Sequence, residues 1–262
     1  MIKFLWIPLG LFLIFTPLEN PAVFSGNNDH LPFGAKTGFW IPYDPSRFKT
    51  EDFLTGSAQL PPLGSPQEKP EEPESPVKGW WEVKYFPVTP THYSKAGKGI
   101  IKAESIGGRS SLFKAVGEKE KNLPALAWGW KVSNVVRSAI ETRKERFDAA
   151  ARVMVVFGKE GFFKRIGKGE PSGFKIEYIW ATRLPKGHLF DHPGETNWKV
   201  FVLESGEAKA GQWVYFKRNI HKDFKSAFGT EPLPVLAIGI QTDTDHSNEM
   251  VTAYYSEPVL RR

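Results

Sequence analysis

From Trp80 to the end of the chain, short apolar and aromatic runs recur, and each ends at Gly, Pro, Asn or Asp. This pattern limits the fold more than any other feature of the sequence. In Leu126–Val132 and Phe174–Trp180, large apolar residues alternate with small or charged ones, which is the pattern of a strand with one buried face. Many short strands separated by turn residues are typical of a β-sandwich or a β-barrel.

We therefore predict an all-β fold: an antiparallel, jelly-roll-like β-sandwich of about ten strands with one short helix. The expected helix is His221–Phe228, which Gly229 closes and Pro232 follows. Val135–Arg146 is basic, and its pattern leaves helix or loop open. The expected strands are Trp80–Phe86, Gly99–Ser105, Leu112–Val116, Ala125–Val132, Ala151–Phe157, Phe174–Ala181, Trp198–Glu204, Gln212–Ile220, Val235–Thr242 and Val251–Val259.

The amino terminus has the pattern of an export signal. Lys3 precedes the apolar segment Phe4–Phe15, which is too short for a permanent membrane helix but suits the core of a signal peptide. Residues 1–25 are therefore predicted to be a cleavable signal peptide, and the mature chain is expected to be periplasmic or secreted, without a transmembrane segment. Residues 26–78 should form an extended lead-in with a Pro- and Glu-rich linker, and residues 79–262 the β-sandwich domain.

The composition excludes several kinds of chemistry. The chain has no cysteine, so thiol nucleophiles, disulfides and thiolate metal sites are ruled out. The sequence also contains no P-loop, dinucleotide-binding fingerprint, nucleophile elbow or zinc-protease motif. The formal net charge is +6, which favours an anionic neighbour such as an acidic polysaccharide, although solvated lysines explain it equally well. The export signal argues against a nucleic-acid partner.

Five blocks of the sequence occur in a characteristic order. They are Leu123–Val132; Asp148–Val153 with Val155–Phe157; Tyr178–Trp180; Gly211–Trp213 with Arg218, Asn219, Asp223, Phe228 and Gly229; and Thr242–Asp245 with Ala253–Tyr255. Together they resemble the bacterial family catalogued as domain of unknown function 3047. The resemblance implies an exported protein with a jelly-roll β-sandwich similar to carbohydrate-binding modules, and it implies no particular activity.

The string Asp243–Asn248 is a candidate metal site. Asp243 and Asp245 place oxygen ligands at alternate positions, as in the first half of a calcium loop. Tyr254 stands where an EF-hand needs a bidentate Glu, so a structural calcium held partly by backbone carbonyls is the remaining form of this hypothesis. A polar turn whose Asp side chains accept hydrogen bonds from backbone amides accounts for the same residues.

Charged and aromatic residues within apolar strands are the other candidates. Arg152 and Arg218 each lie in such a strand, where an unpaired charge is costly. Internal ion pairs with aspartates explain them, as does a groove in which arginine binds sugar hydroxyls or carboxylates. Trp180 has a ring suited to stacking on a sugar, although its alternation places it on a buried face, where core packing is the default.

His188 and His192 would lie on one face of a helix and bind zinc there, but the flanking Pro and Gly residues favour a loop. Neither residue is therefore included in the preferred site.

The preferred hypothesis is an exported, non-catalytic module for a cell-envelope or extracellular glycan, or for another anionic envelope component. The residues expected to bind the ligand are Arg152, Trp180, Arg218, Asp243 and Asp245, with calcium as the candidate metal at the last two. Two alternatives stay open. One is a polysaccharide hydrolase or lyase that uses Asp148 or Asp223 together with Asp243. The other is a structural assembly protein that uses the acidic linker as a spacer.

Overall fold

A computed structural model describes residues 75–159 and 169–262, which form a two-sheet β-sandwich. The predicted signal peptide and most of the predicted lead-in lie outside the described residues. The elements are β1 Trp81–Lys84, β2 His92–Lys95, β3 Ile100–Ile106, β4 Arg109–Ala115, β5 Ala125–Val132, β6 Ala149–Phe157, β7 Phe174–Ala181, β8 Leu189–Asp191, β9 Trp198–Ser205, β10 Val214–Asn219, α1 Ile220–Phe228, β11 Val235–Asp243, β12 Met250–Ser256 and β13 Val259–Arg261.

One sheet has seven strands in the order β1-β4-β11-β6-β7-β9-β8, and the other has the order β10-β5-β12-β3-β2, with β13 also paired to β5. All of these strand pairs are antiparallel except β7 with β9. The exception arises because the chain first forms the edge strand β8 and then returns between β8 and β7. The predicted all-β sandwich is confirmed, with one parallel pair that the sequence pattern did not indicate.

The main hydrophobic core lies between the two sheets. It contains Trp128 and Trp130 from β5 and Tyr178 and Trp180 from β7, all nearly inaccessible to solvent. Trp128 and Trp130 meet edge to face, with ring centroids 5.7 Å apart, an arrangement that aromatic pairs prefer. The residues that alternation assigned to a buried face therefore do pack between the sheets.

The central strands of the seven-stranded sheet are buried on both faces. Every residue of β6 and of β11 is buried, whereas β10 alternates between half-buried and exposed positions. Consequently the face of this sheet that points away from the second sheet, called here the outer face, is also covered. This second covered face is the part of the fold that positions the candidate site.

The predicted strands correspond closely to the observed ones, and Ala125–Val132 and Phe174–Ala181 have the predicted bounds. Three short strands, β2, β8 and β13, were not predicted. The predicted helix is present: the side chain of Asn219 accepts a hydrogen bond from the Lys222 N–H at its start, and Gly229 ends it with a φ of 70°. Among the described residues, no helix is long and apolar enough to cross a membrane.

Candidate functional site

Arg152 is the centre of a polar cluster on the outer face. Its neighbours Ala151 and Val153 on β6 belong to the core between the sheets, so the alternation of a strand directs Arg152 to the outer face. Gln241 on β11 lies opposite Arg152 in register, and the pairing of β11 with β6 becomes irregular between Gln241 and Asp243. Irregularities of this kind often re-aim side chains near functional sites. Here the irregularity accompanies the charged end of β11.

The guanidinium of Arg152 is 1% exposed and is held from several sides. Its Nη1 donates to Oε1 of Glu177 at 2.8 Å, and its Nη2 donates to the carbonyl of Phe147 at 2.6 Å and to Oδ2 of Asp243 at 3.3 Å. It also lies 4.1 Å from the centre of the Phe147 ring. Burial alone lowers the pKa of Arg152, but Glu177 and Asp243 raise it above its ordinary value. Arg152 is therefore a fixed positive charge within the sheet.

Asp243 ends β11 and begins the turn to β12. Its Oδ1 accepts a hydrogen bond from the N–H of Asp245 at 3.3 Å. The carbonyl of Thr244 accepts from the N–H groups of Ser247 and Asn248, and Asn248 has a φ of 56°. Asparagine tolerates this left-handed conformation better than most residues. Burial raises the pKa of Asp243 well above its usual value, against the effect of nearby Arg152.

A cavity of about 360 Å³ opens onto this cluster. Its floor includes Arg152, Gln241 and Asp243 from the sheet, and its walls combine loop residues with Arg109 and Trp198, the first residues of β4 and β9. The residues that line it are Tyr85, Arg109, Lys144, Phe147, Arg152, Glu170, His192, Pro193, Gly194, Glu195, Trp198, Gln241, Asp243 and His246. The guanidinium of Arg109 lies 4.5 Å from the centre of the Tyr85 ring. The cavity thus combines aromatic rings with charged and amide groups, as small-molecule sites do.

His192 forms part of the cavity wall as a neutral imidazole. Its ring packs edge to face against Phe147 and Trp198, with centroid distances of 4.6 and 4.5 Å. Its Nδ1 accepts a hydrogen bond from the N–H of Gly194 at 3.1 Å. Burial lowers the pKa of His192 to about 4. His192 therefore carries no charge at neutral pH.

A family model described as Protein of unknown function (DUF3047) matches residues 79–259. The chain belongs to the DUF3047 family. The match begins just before β1 and ends at the first residue of β13, so it covers the described sandwich, and the resemblance inferred from the sequence blocks is confirmed.

No curated protein matches the chain significantly. Solved structures that are similar to it include the xyloglucanase domain of NopAA, a type three effector from Sinorhizobium fredii, in complex with cellobiose. That domain shares 10% identity, with 70% of this chain and 92% of that chain covered and a TM-score of 0.40. The native family 12 xyloglucanase from Bacillus licheniformis shares 9% identity, with 71% and 87% covered and a TM-score of 0.36.

The structure brings together three of the five residues predicted to bind a ligand in this DUF3047 chain. Arg152 and Asp243 are ion-paired and line the cavity, and Asp245 follows in the same turn. The geometry at Asp243 differs from that expected of a calcium ligand. Its carboxylate accepts hydrogen bonds from Arg152 and from the N–H of Asp245. These hydrogen bonds agree with the alternative interpretation, in which Asp243–Asn248 is a polar turn between two strands.

Trp180 and Arg218 lie elsewhere. Trp180 is fully buried between the sheets, and its indole N–H donates to the carbonyl of Gly206 at 3.0 Å. It therefore has no surface on which a sugar can stack. Arg218 on β10 binds both carboxylate oxygens of Asp223, at 3.0 and 2.6 Å, and Tyr178 donates to the same carboxylate. This network is separate from the cavity, and it occupies Asp223, one of the carboxylates considered for a hydrolase.

The sequence did not indicate several members of the site. Glu177, which binds Arg152, was expected on a solvent-facing side of its strand, but it is 0% exposed because the outer face is covered. Lys175, which lies over the ring of Trp198 in the cavity wall, is buried for the same reason. The zinc hypothesis for His188 and His192 finds no support in the geometry. The two residues flank the extended strand β8, and four residues of strand span about 13 Å.

Proposed function

We propose that the protein binds a short, neutral segment of a cell-envelope or extracellular glycan in the cavity on the outer face. The observation that carries this proposal is the composition of the cavity lining, which combines aromatic rings with hydrogen-bonding groups beside the buried Arg152. Its volume of about 360 Å³ is at the lower end of the range for small-molecule sites. A few sugar units therefore fit this surface better than a large folded partner.

The chemistry of the lining suits a sugar. Tyr85 and Trp198 both line the cavity, although Arg109 lies over one face of the Tyr85 ring and Lys175 over one face of the Trp198 ring. The ring surface that remains toward the cavity is apolar beside polar groups, which matches the apolar and hydroxyl-bearing sides of a pyranose. The amide of Gln241 both donates and accepts hydrogen bonds, as a sugar hydroxyl does. Because Arg152 is held by its own partners, it orients the floor and leaves Gln241 as the freer polar group there.

The charge balance of the cavity favours a neutral ligand over a polyanion. The lining holds three basic side chains and three acidic ones, namely Arg109, Lys144 and Arg152 against Glu170, Glu195 and Asp243. A site for an acidic polysaccharide would need an excess of positive charge, and especially of unpaired arginine. The preference for an anionic envelope component, inferred from net charge, thus gives way to a neutral glycan. The signal-peptide pattern at residues 1–25 supports an extracytoplasmic ligand of this kind.

The test is a saccharide-binding screen of the full chain, followed by titration calorimetry with the best oligosaccharide. Trp198→Ala and Gln241→Ala should each weaken binding about tenfold or more, because each removes a group that faces the cavity. Tyr215→Ala is the matched control. Tyr215 is 70% exposed on the other sheet, beside Trp213 with the two ring planes at 19°, and its loss should leave the affinity unchanged.

Three outcomes would overturn the proposal. The first is that the folded protein binds no saccharide. The second is that Tyr215→Ala abolishes binding while the cavity variants bind normally, which would move the site to the other sheet. The third is the release of new reducing ends during incubation, abolished by Asp243→Asn, which would make the protein a hydrolase.

A further inference from the structure

Asp148, Asp245 and His246 place three metal-ligand atoms together at the edge of the cavity. Asp148 precedes β6, and the other two residues belong to the turn after β11. One ligand atom from each residue lies within 4.8 Å of the others. We propose that these three side chains bind a divalent first-row transition-metal ion of the Zn²⁺ class. This inference does not depend on the proposed saccharide binding.

The distances between the donor atoms suit a single ion. Nδ1 of His246 lies 2.8 Å from Oδ1 of Asp245 and 3.1 Å from Oδ1 of Asp148. Ligands at about 2.0–2.2 Å from zinc lie roughly 3.0–3.5 Å from one another in tetrahedral or octahedral geometry. Small side-chain rotations would therefore admit the ion between them. Asp245 and His246 are adjacent in the turn, and the N–H of His246 donates to Oδ1 of Asp148 at 3.3 Å, which holds Asp148 beside them.

Two buried carboxylate oxygens in the cluster have no hydrogen-bond partner. Asp148 is 1% exposed, and its Oδ1 accepts from the N–H of His246, while its Oδ2 is buried and unpaired. Oδ1 of Asp245 is also buried and forms no hydrogen bond, despite its closeness to the imidazole. Unpaired buried oxygens of ionised groups are costly and rare. A cation bound by Asp245 through Oδ1 and by the carboxylate of Asp148 would relieve this cost.

Without a cation, the imidazole cannot satisfy both carboxylates. Its Nδ1 carries at most one proton, and it lies 3.1 Å from Oδ1 of Asp148 and 2.8 Å from Oδ1 of Asp245, so the two oxygens compete for that proton. As a metal ligand, the same nitrogen presents its lone pair to the ion, and the two carboxylates do likewise. The convergence of three acceptor groups on one point is the arrangement expected of a metal site.

The charged groups around the three ligands also favour a bound cation. The arginines are the cationic partners of the cluster: Arg109 lies 3.5 Å from Oδ2 of Asp245, and Arg152 pairs with Asp243. Glu177 also pairs with Arg152, so three carboxyl groups share these two guanidinium groups, and the buried Asp148 adds a fourth carboxyl group beside them. Acidic groups therefore outnumber the guanidinium groups, which is unfavourable in a buried position. A bound divalent ion would offset this imbalance.

The ligand set selects the class of metal. Calcium binds oxygen ligands almost exclusively, whereas an imidazole with carboxylates suits zinc and its neighbours in the first transition row. His246 is exposed and lines the cavity, so the ion would be reachable from solvent. Three protein ligands leave at least one coordination position for water or a bound ligand.

The experiment uses the full chain without a polyhistidine tag. After treatment with chelator and dialysis, ZnCl₂ is titrated by calorimetry, and CoCl₂ is added to a second sample to record visible absorption bands. We expect one ion per chain and Co²⁺ bands of a site with mixed nitrogen and oxygen ligands. His246→Ala should weaken Zn²⁺ binding roughly 100-fold or more and abolish the bands. Asp148→Asn provides a second ligand variant.

His188→Ala is the matched control, because His188 is an exposed histidine that stacks on Phe190 outside the cluster. It should bind Zn²⁺ as the unmodified protein does. His246 is exposed, so its replacement should leave the fold intact, and the metal-free unfolding curve verifies this. Failure of the unmodified protein to bind Zn²⁺ would overturn the proposal. So would tight binding of CaCl₂ in preference to ZnCl₂, or equal Zn²⁺ affinity in His246→Ala and the unmodified protein.

Discussion

The burial of Arg152 makes a quantitative prediction for the substitution Arg152→Met. Methionine is apolar and matches the aliphatic part of the arginine side chain, so the change removes the charge while it retains much of the packing. Glu177 then loses its 2.8 Å partner, and Asp243 loses its own at 3.3 Å. Breaking a buried ion pair by removal of one partner costs about 3–5 kcal/mol, because it leaves an uncompensated buried charge. We expect Arg152→Met to lose unfolding free energy in that range.

The assay is equilibrium unfolding in urea at pH 7, followed by tryptophan fluorescence. Arg218→Met is the matched control, because it removes the same functional group from an ion pair whose arginine side chain is 34% exposed rather than 1% exposed. Solvent screens that pair, and Tyr178 still donates to the Asp223 carboxylate after the change. The control should therefore lose only about 1–2 kcal/mol.

A double-mutant cycle separates the ion pair from general packing. Glu177→Gln removes the charge of the partner and keeps its shape, so the double variant with Arg152→Met should lose less than the sum of the two single variants. The coupling should be about 1–3 kcal/mol. A loss below about 1 kcal/mol for Arg152→Met, or equal losses in the two arginine variants, would refute the reasoning that burial gives Arg152 its importance.

Three further predictions concern the surroundings of the site. His192 has a lowered pKa of about 4. Below about pH 6.5 this histidine binds a proton in the unfolded chain, whereas in the folded chain it does so only near pH 4. Acidification from pH 7.5 to 5 should therefore lower the free energy of unfolding by up to about 2 kcal/mol. Urea unfolding at the two pH values should show a correspondingly smaller loss for His192→Phe, and an equal loss would contradict the assignment. Trp180→Ala should destabilise the fold by about 3–5 kcal/mol, as the truncation of core tryptophans does. The saccharide affinity of the folded fraction should stay unchanged. A loss of affinity without a loss of stability would place Trp180 in the binding site. Gly239→Ala should cost about 1–3 kcal/mol in thermal unfolding, because its Cβ would stand 2.5 Å from the ring of Phe113, which is completely buried; a neutral effect would mean that this part of the outer face can shift.

The sequence predicted the strands best where apolar residues define them. Ala125–Val132 was predicted with its observed bounds because its alternating large side chains must face a core. The strands that were not predicted include His92–Lys95 and Leu189–Asp191. These are edge strands of four and three residues, too short to show an alternating pattern. Their backbone pairing with a neighbour stabilises them, and no local pattern reports such pairing.

The candidate site was harder to predict because it depends on contacts between distant residues. The cost of a buried charge correctly suggested internal partners for Arg152 and Arg218, which proved to be Glu177 with Asp243 and Asp223 respectively. No pattern in the sequence indicates which of the two arginines faces a cavity. That distinction depends on the loops around His192, which cover the sheet only in the folded chain.

The covered outer face is more than a sandwich needs. Each sheet of a sandwich requires one apolar face, which the core between the sheets already supplies. Desolvating charged groups on the second face has a cost that ion pairs repay only with good geometry. Yet β6, β7 and β11 carry Arg152, Glu177 and Asp243 on that face, and the neighbouring Asp148 and Asp245 keep unpaired oxygens. We infer that these polar groups serve ligand or metal binding, whereas the apolar clusters around Ile179 and Phe113 on the same face contribute to the stability of the fold.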